Sequence, residues 1–132
     1  MNLFFHNLLQ KTREFTTGAN HVLKKHDLFS AQWSVLFTIE KHGVMTLTEI
    51  WKYLNVEAPT TTRTVNRLVD RGLLQHEPGE DRRLKRVSLT QAGKDKYDEV
   101  KKEIEQYENN FAKGLTKEEV AQFELLLQKL KG

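Results

Sequence analysis

Read from the start, the apolar positions of the chain step by threes and fours. In residues 2 to 26, Phe5, Leu8, Phe15, Ala19 and Val22 make one stripe, bridged by Thr12 and widened by Phe4 and Leu23. That is the spacing of one amphipathic helix. Its stripe is either a plain core face or, being broader than a small domain needs from a terminal helix, a surface for a partner. Gly18 weakens the middle of this helix by about 1 kcal/mol relative to Ala and marks a bend or a close helix contact. From Ser30, read as an N-cap, to about His42, the residues Trp33, Val35, Leu36, Phe37 and Ile39 are apolar nearly all round, which predicts a central, buried helix. Gly43 ends it. Thr46 and Glu49 have the T-x-x-E spacing of a capping box. They open a short helix to about Leu54 whose inner face is Leu47, Ile50 and Leu54. Asn55-Val56-Glu57 is a tight turn into the next segment.

That next segment, Ala58 to Thr90, organises the rest. Pro59 suits the first helical position, where its missing N–H is no loss. From there Val65, Leu68 and Val69 fall on one face with Thr61 and Thr62, while Thr60, Arg63, Arg67 and Arg71 fall on the other. Gly72 supplies the left-handed residue that stops the helix. Residues 73–77 and 85–89 read as two short strands. Pro78-Gly79-Glu80-Asp81 gives turn chemistry between them, and Arg82-Arg83 sits at or just past the tip. Short helix, turn, Arg-faced helix and hairpin make a winged helix-turn-helix. Thr90 then caps a long helix from Gln91 to about Lys113, in which Tyr97, Val100, Ile104, Tyr107 and Phe111 repeat 3-4-3-4 as a narrow seam. Gly114 stops it. Thr116 and Glu119 form a second capping box, and Val120, Phe123, Leu126, Leu127 and Leu130 line a last helix. The fold class is mainly α with a small β-hairpin wing. The chain's 132 residues are enough for one domain.

Charge sharpens this picture through its location. The net charge is +3. Residues 1–57 carry six Lys/Arg against five Asp/Glu, residues 58–90 seven against four, and residues 91–132 eight against nine. The excess sits in the helix-and-wing segment, where an electrostatic footprint on DNA belongs. There is no cysteine and hence no thiol switch. His6, Asn7, Gln10 and Lys11 interrupt the apolar N-terminal residues, so no signal peptide or spanning segment is expected and the cytoplasm is the default compartment. Catalysis has no support: there is no G-x-S-x-G, no glycine loop for phosphates, no H-E-x-x-H and no cysteine nucleophile.

Three arginines at helical spacing, taken alone, read as a solvated face. A basic hairpin behind them makes a second probe on the same side. The stretch HGVMTLTEIWKYLNVEAPTTTRTVNRLVDRGLLQHEPGEDRRLKRVSLTQAG resembles the DNA-binding region of the MarR family of winged helix-turn-helix transcriptional regulators. The most specific pieces are T-L-T-E-I, V-x-R-L-V-D-R-G-L-L read loosely, and D-R-R-x-K-R-V-x-L-T. The Pro, Arg and Gly spacing and the D-R-R-x-K-R wing are similar to the SlyA-like branch. The likeness covers roughly residues 30–93. It implies a single domain over 1–132, with 30–90 as the DNA-binding region and 1–29 and 91–132 as dimerisation helices. It also implies a homodimeric repressor of a pseudo-palindromic double-stranded operator, relieved by a small phenolic or other organic effector.

Site residues follow from face and resemblance together. Arg63, one turn after Pro59 on the outward face, is the candidate for a base edge in the major groove. Thr60, Thr61 and Thr64 are weaker candidates beside it, and Thr61 can equally face the core. Arg67 and Arg71, further along, suit phosphates or intramolecular ion pairs. The resemblance implies that Arg83 enters the minor groove and that Asp81 braces the tip. Arg82, Lys85 and Arg86 suit phosphates. Phe5, Leu8, Phe15, Val120, Phe123 and Leu127 are the expected dimer interface. Phe15, His21, Trp33 and Phe37 are the expected ligand cleft. No metal or other cofactor and no membrane partner is expected: His21 and His26 are five apart, at poor angles for one ion. Zinc-sensing members of the family draw histidines from the helix after the wing, and residues 91–113 contain none. Two other classes stay open, a winged-helix protein-interaction module and an RNA binder. Both are disfavoured by the pairing of Arg63 with wing arginines, and a salt-dependent shift of duplex DNA separates them from the leading reading.

Overall fold

Two threonine–glutamate pairs set the starts of two helices, and the computed structural model, which describes residues 1–78 and 85–132, contains both. The Glu49 N–H donates to Thr46 Oγ1 at 3.0 Å while the Thr46 N–H donates to Glu49 Oε1 at 2.9 Å. Thr116 and Glu119 repeat the exchange at 3.1 and 2.8 Å. Each pair satisfies amide donors that a helix start leaves open. The elements run α1 (Leu3–Leu23), α2 (Ser30–His42), β1 (Met45–Thr46), α3 (Leu47–Leu54), α4 (Ala58–Asp70), β2 (Leu74–Glu77), β3 (Arg86–Leu89), α5 (Gln91–Phe111) and α6 (Lys117–Lys129).

Several boundaries differ from the sequence expectation, each for a local reason. The first helix ends at Leu23, tightens into a 3₁₀ turn over Lys24–His26, and reverses at Asp27, whose φ is 57°. Ser30 is not the cap of α2 but its first helical residue, after Phe29. Its N–H donates to Asn20 Oδ1 of α1 at 2.6 Å, so a side chain from the preceding helix does the capping. Within α2, Val35, Leu36 and Ile39 are buried, whereas Phe37 is exposed and Trp33 half-buried, so one side of this helix is not core. Ala58 precedes Pro59 in α4, a position the proline tolerates equally because its missing N–H is still in the unbonded first turn. The last helical residue of α5 is Phe111 rather than Lys113.

The sheet has a member that the periodicity does not predict. Met45 pairs with Val87 and Thr46 with Arg86, so β1 joins the hairpin in the antiparallel order β1-β3-β2. Beside it the Leu47 N–H donates to the Lys85 carbonyl at 3.1 Å. These bonds tie the base of the wing to the start of the helix-turn-helix. Leu36, Ile50, Val65, Leu68, Val87 and Val100 are fully buried and join α2, α3, α4, β3 and α5 in one core. Burying each such side chain contributes about 1.5–3 kcal/mol.

The long helices contact one another through aromatic groups. Phe15 of α1 lies 5.5 Å from the Tyr107 ring and 5.3 Å from that of Phe111. The Tyr107 hydroxyl donates to the Phe15 carbonyl at 2.9 Å. Gly18 makes this approach possible, since a Cβ there would overlap the Tyr107 hydroxyl. Toward the other end of α1, His26 is nearly buried between Glu99 and Glu103 of α5, at 3.6 and 3.2 Å. Arg71, just past α4, donates to the Asp27 carbonyl at 2.5 Å. Arg71 is thus engaged within its own chain, with the Asp27 carboxylate 3.9 Å away. By contrast α6 buries none of its residues.

Candidate nucleic-acid interface and the cleft behind it

The capping box fixes where α3 begins, and Asn55, at φ 56°, makes the left-handed turn that ends it. Asparagine tolerates this conformation better than most residues. The turn delivers α4 with Val65 and Leu68 in the core. On the opposite side Pro59, Arg63, Asn66, Arg67 and Asp70 are exposed, and Thr60 is half-buried. Arg63 Nη2 donates weakly to Thr60 Oγ1 at 3.4 Å, which leaves most of its guanidinium donors free.

Thr61 and Thr64 are not on this outward face. They are 3% and 8% exposed and turn toward α2 and α5. The placement is chemically cheap, because a helical threonine can return its hydroxyl proton to the preceding turn. Thr64 does so, donating to the Thr60 carbonyl at 3.0 Å. Asn66 is the outward residue that sequence reasoning passes over. It lies three positions after Arg63, so the helical spacing holds the signal. An asparagine amide can pair bidentately with adenine.

The wing contributes Lys85 and Arg86, both exposed. Asp81, Arg82 and Arg83 lie outside the described residues. Arg86 faces Glu77 across the β2–β3 ladder, and Glu49 on α3 feels its charge. The Glu49 carboxyl is held below the usual carboxylate range, first by the hydrogen bond from the Thr46 N–H, then by that with the Thr46 hydroxyl, with Arg86 adding to both.

Behind α4 the structure opens a cleft of about 440 Å³ between α1, α2, α4 and α5. Phe15, Trp33 and Phe37 line it as expected, with the backs of Thr61 and Thr64 as part of its wall. His21 does not. The α1 residues in the lining are Phe15, Thr16, Ala19 and Leu23, and His21, two after Ala19, is on the opposite, exposed side of the helix. A residue that sequence reasoning misses, Glu108 of α5, reaches the lining. Its pKa is raised, first by loss of water and then by the neighbouring Glu105. The Trp33 ring stacks on Tyr97 at 4.9 Å. Among the described residues no cluster of three His, Cys, Asp or Glu could hold a metal ion, and no helix is long and apolar enough to cross a membrane.

The outer faces of α1 and α6 carry many of the exposed apolar side chains. Phe5, Val120, Phe123 and Leu127 are between 37% and 50% exposed. Leu8 is half-buried, and Phe15 is occupied by Tyr107 and Phe111 of its own chain.

Comparison with known proteins agrees with this geometry. The MarR family model matches residues 28–85. The HTH-type transcriptional regulator YwoH of Bacillus subtilis is 45% identical over 103 residues, 78% of this chain and 75% of that protein. The crystal structure of a mutant MarR from Escherichia coli complexed with operator DNA superposes with a TM-score of 0.85 at 28% identity, over 94% of this chain and 90% of that one. Bordetella bronchiseptica BpsR, described for regulation of its DNA binding by 6-hydroxynicotinic acid, gives 0.84 at 26% identity, over 94% and 89%. With this likeness spanning both the helix-turn-helix and the long helices, the chain belongs to the MarR family and is a DNA-binding transcriptional regulator.

Proposed function

We propose that two copies of the chain pair through their terminal helices, bind a pseudo-palindromic operator as a repressor, and release it when a small organic molecule enters the cleft. One observation carries this reading: α4 has Arg63 and Arg67 in solvent on one side and Thr61 and Thr64 in the cleft on the other. A molecule wedged against the threonines would tilt the helix whose arginines face DNA. Arg63 reads a base edge, helped by Asn66, with Pro59 and Thr60 bringing the helix start close to the backbone. Arg67, Lys85 and Arg86 hold phosphates, Lys85 more freely because Glu77 and Glu49 oppose Arg86. The D-R-R-x-K-R run of residues 81–86 supports a SlyA-like wing, with Arg83 in the minor groove and Arg82 on phosphate. The exposed apolar rows of α1 and α6 support an isologous dimer, with residues 30–90 as the reading head of a single domain. The effect of 6-hydroxynicotinic acid on BpsR supports a small aromatic molecule as effector class.

Selection of bound sequences from a random duplex library by the purified protein tests the proposal. The expected product is an inverted repeat whose half-sites lie roughly one helical turn apart, about 10 bp centre to centre. Enrichment of no sequence, or tighter binding to single-stranded RNA than to any duplex, would overturn it. Placed across a promoter, the selected repeat should silence a reporter, and activation would overturn the repressor assignment.

A further inference from the structure

We infer that the cleft behind α4 is selective for an aromatic cation, such as an amidine or ammonium carried on a two- or three-ring system, over an aromatic carboxylate. The inference rests on the effector reading of this cleft and departs from the BpsR ligand, which is an acid, in the charge it assigns to the effector. Three features of the lining carry it. Among the described residues its only ionisable side chain is Glu108, and no lysine, arginine or histidine is in the lining. A carboxylate in this space would therefore lie near another carboxylate with no cation in the described wall to offset either, and like charges disfavour one another even where, as at the exposed Glu108, water reaches one of them. A cation there finds a counter-charge in place.

The second feature is the Thr64 hydroxyl. The proton of the Thr64 hydroxyl is committed to the Thr60 carbonyl, and the N–H of Ser30 is committed to Asn20. What Thr64 leaves for the cleft is lone pairs, which accept from N–H donors, whereas the hydroxyls of Thr16, Ser30, Ser34, Thr60 and Thr61 can serve either charge.

The third is the aromatic wall. Phe15, Trp33 and Phe37 offer the ring faces on which a delocalised cation rests well. The acidic surroundings extend beyond the lining. Tyr97, stacked on Trp33, is pushed up in pKa by burial and then by Glu40, Glu105, Asp98 and Glu108, all of them acidic. The volume of about 440 Å³ admits a molecule of two or three rings.

The test uses three probes of nearly one shape: 2-naphthamidine, 2-naphthamide and 2-naphthoate. Binding to the full chain is followed by Trp33-dependent fluorescence, with Trp33→Phe as the control, and operator release is followed in parallel. The amidine should bind about tenfold tighter than the amide, as a partly desolvated cation beside an aromatic wall and a carboxylate would, and the naphthoate should bind weakest. Glu108→Gln should bring the amidine level with the amide and improve the naphthoate. Equal or tighter binding of the naphthoate overturns the charge selectivity and leaves the effector cleft standing. So does an amidine preference that survives Glu108→Gln. Amidine binding with the expected order but no change in operator affinity supports the selectivity and overturns the cleft as the effector site. Binding of none of the three overturns both.

Discussion

The middle of the chain and its two ends use apolar residues in opposite ways. Between Leu28 and Leu89 most of them close on one another: Leu36, Ile50, Val65, Leu68 and Val87 are all fully buried, while Phe29, Phe37, Val44, Tyr53 and Val56 stay exposed. At the ends they face outward. Phe4 is 55% exposed, Leu126 is 59% exposed, and α6 buries nothing. A single copy is thus self-sufficient where it meets DNA and incomplete where it would meet a second copy. In the proposed dimer the stability of the middle would be internal to one chain, whereas its spacing and affinity on DNA would depend on the second copy.

The sharpest way to break this comparison is to charge one end. The double substitution Phe123→Asp, Leu127→Asp should reduce the sedimenting species from twice the 15.5 kDa chain mass to one. Operator affinity should fall about 10²- to 10⁴-fold as the second half-site loses its tether, while the helical signal of the middle survives. An unchanged dimer would show that these faces meet no second copy. Within the middle, Arg63→Ala should cost about 1–3 kcal/mol per half-site and relax preference at one base position. Thr64→Leu, on the inner side of the same helix, should instead alter stability and cleft binding with base preference unchanged. A base-by-base affinity profile of both variants reads the difference, and a shared flat loss would reduce Arg63 to a phosphate clamp.

The join between the wing and the helix-turn-helix gives a smaller effect. Thr46→Ala should destabilise the fold by about 1 kcal/mol in urea unfolding, as loss of a threonine cap does. The cap also carries a pH signature. Glu49 is depressed in the folded state, so its contribution is complete above the ordinary glutamate value of 4.5 and is lost as pH falls through the lower folded value. Acid titration of stability should therefore flatten in Thr46→Ala. The smallest effect expected is at Lys85, where alanine should weaken all sequences alike and reduce the salt slope by about one.

What is legible from sequence divides along the same line. Both capping boxes, the seam of α5 and the outward position of Arg63 are readable because each depends on residues within one or two turns. β1 is not, because two residues become a strand only when β3 lies alongside. The capping of α2 is misread at Ser30 because the acceptor belongs to Asn20, on another helix. Polarity offers Thr61 and Thr64 as candidates for DNA, with Thr61 equally able to face the core. Yet a threonine that bonds its own helix can face an interior, and only the packing of α2 and α5 reveals that a cleft waits there. Glu108 is hidden for the converse reason, an exposed charged residue beside an apolar seam that also borders the cleft. His21 fails by two residues, enough to carry it around the helix.

The close approach at Gly18 has a consequence for how this protein can diverge. A side chain at position 18 would meet the Tyr107 hydroxyl and ring, so the tyrosine would have to turn aside or be replaced. Either way the bond to the Phe15 carbonyl is given up. The two positions are 89 residues apart and sit in helices that sequence reading treats separately. Among descendants of this chain the two positions should change together.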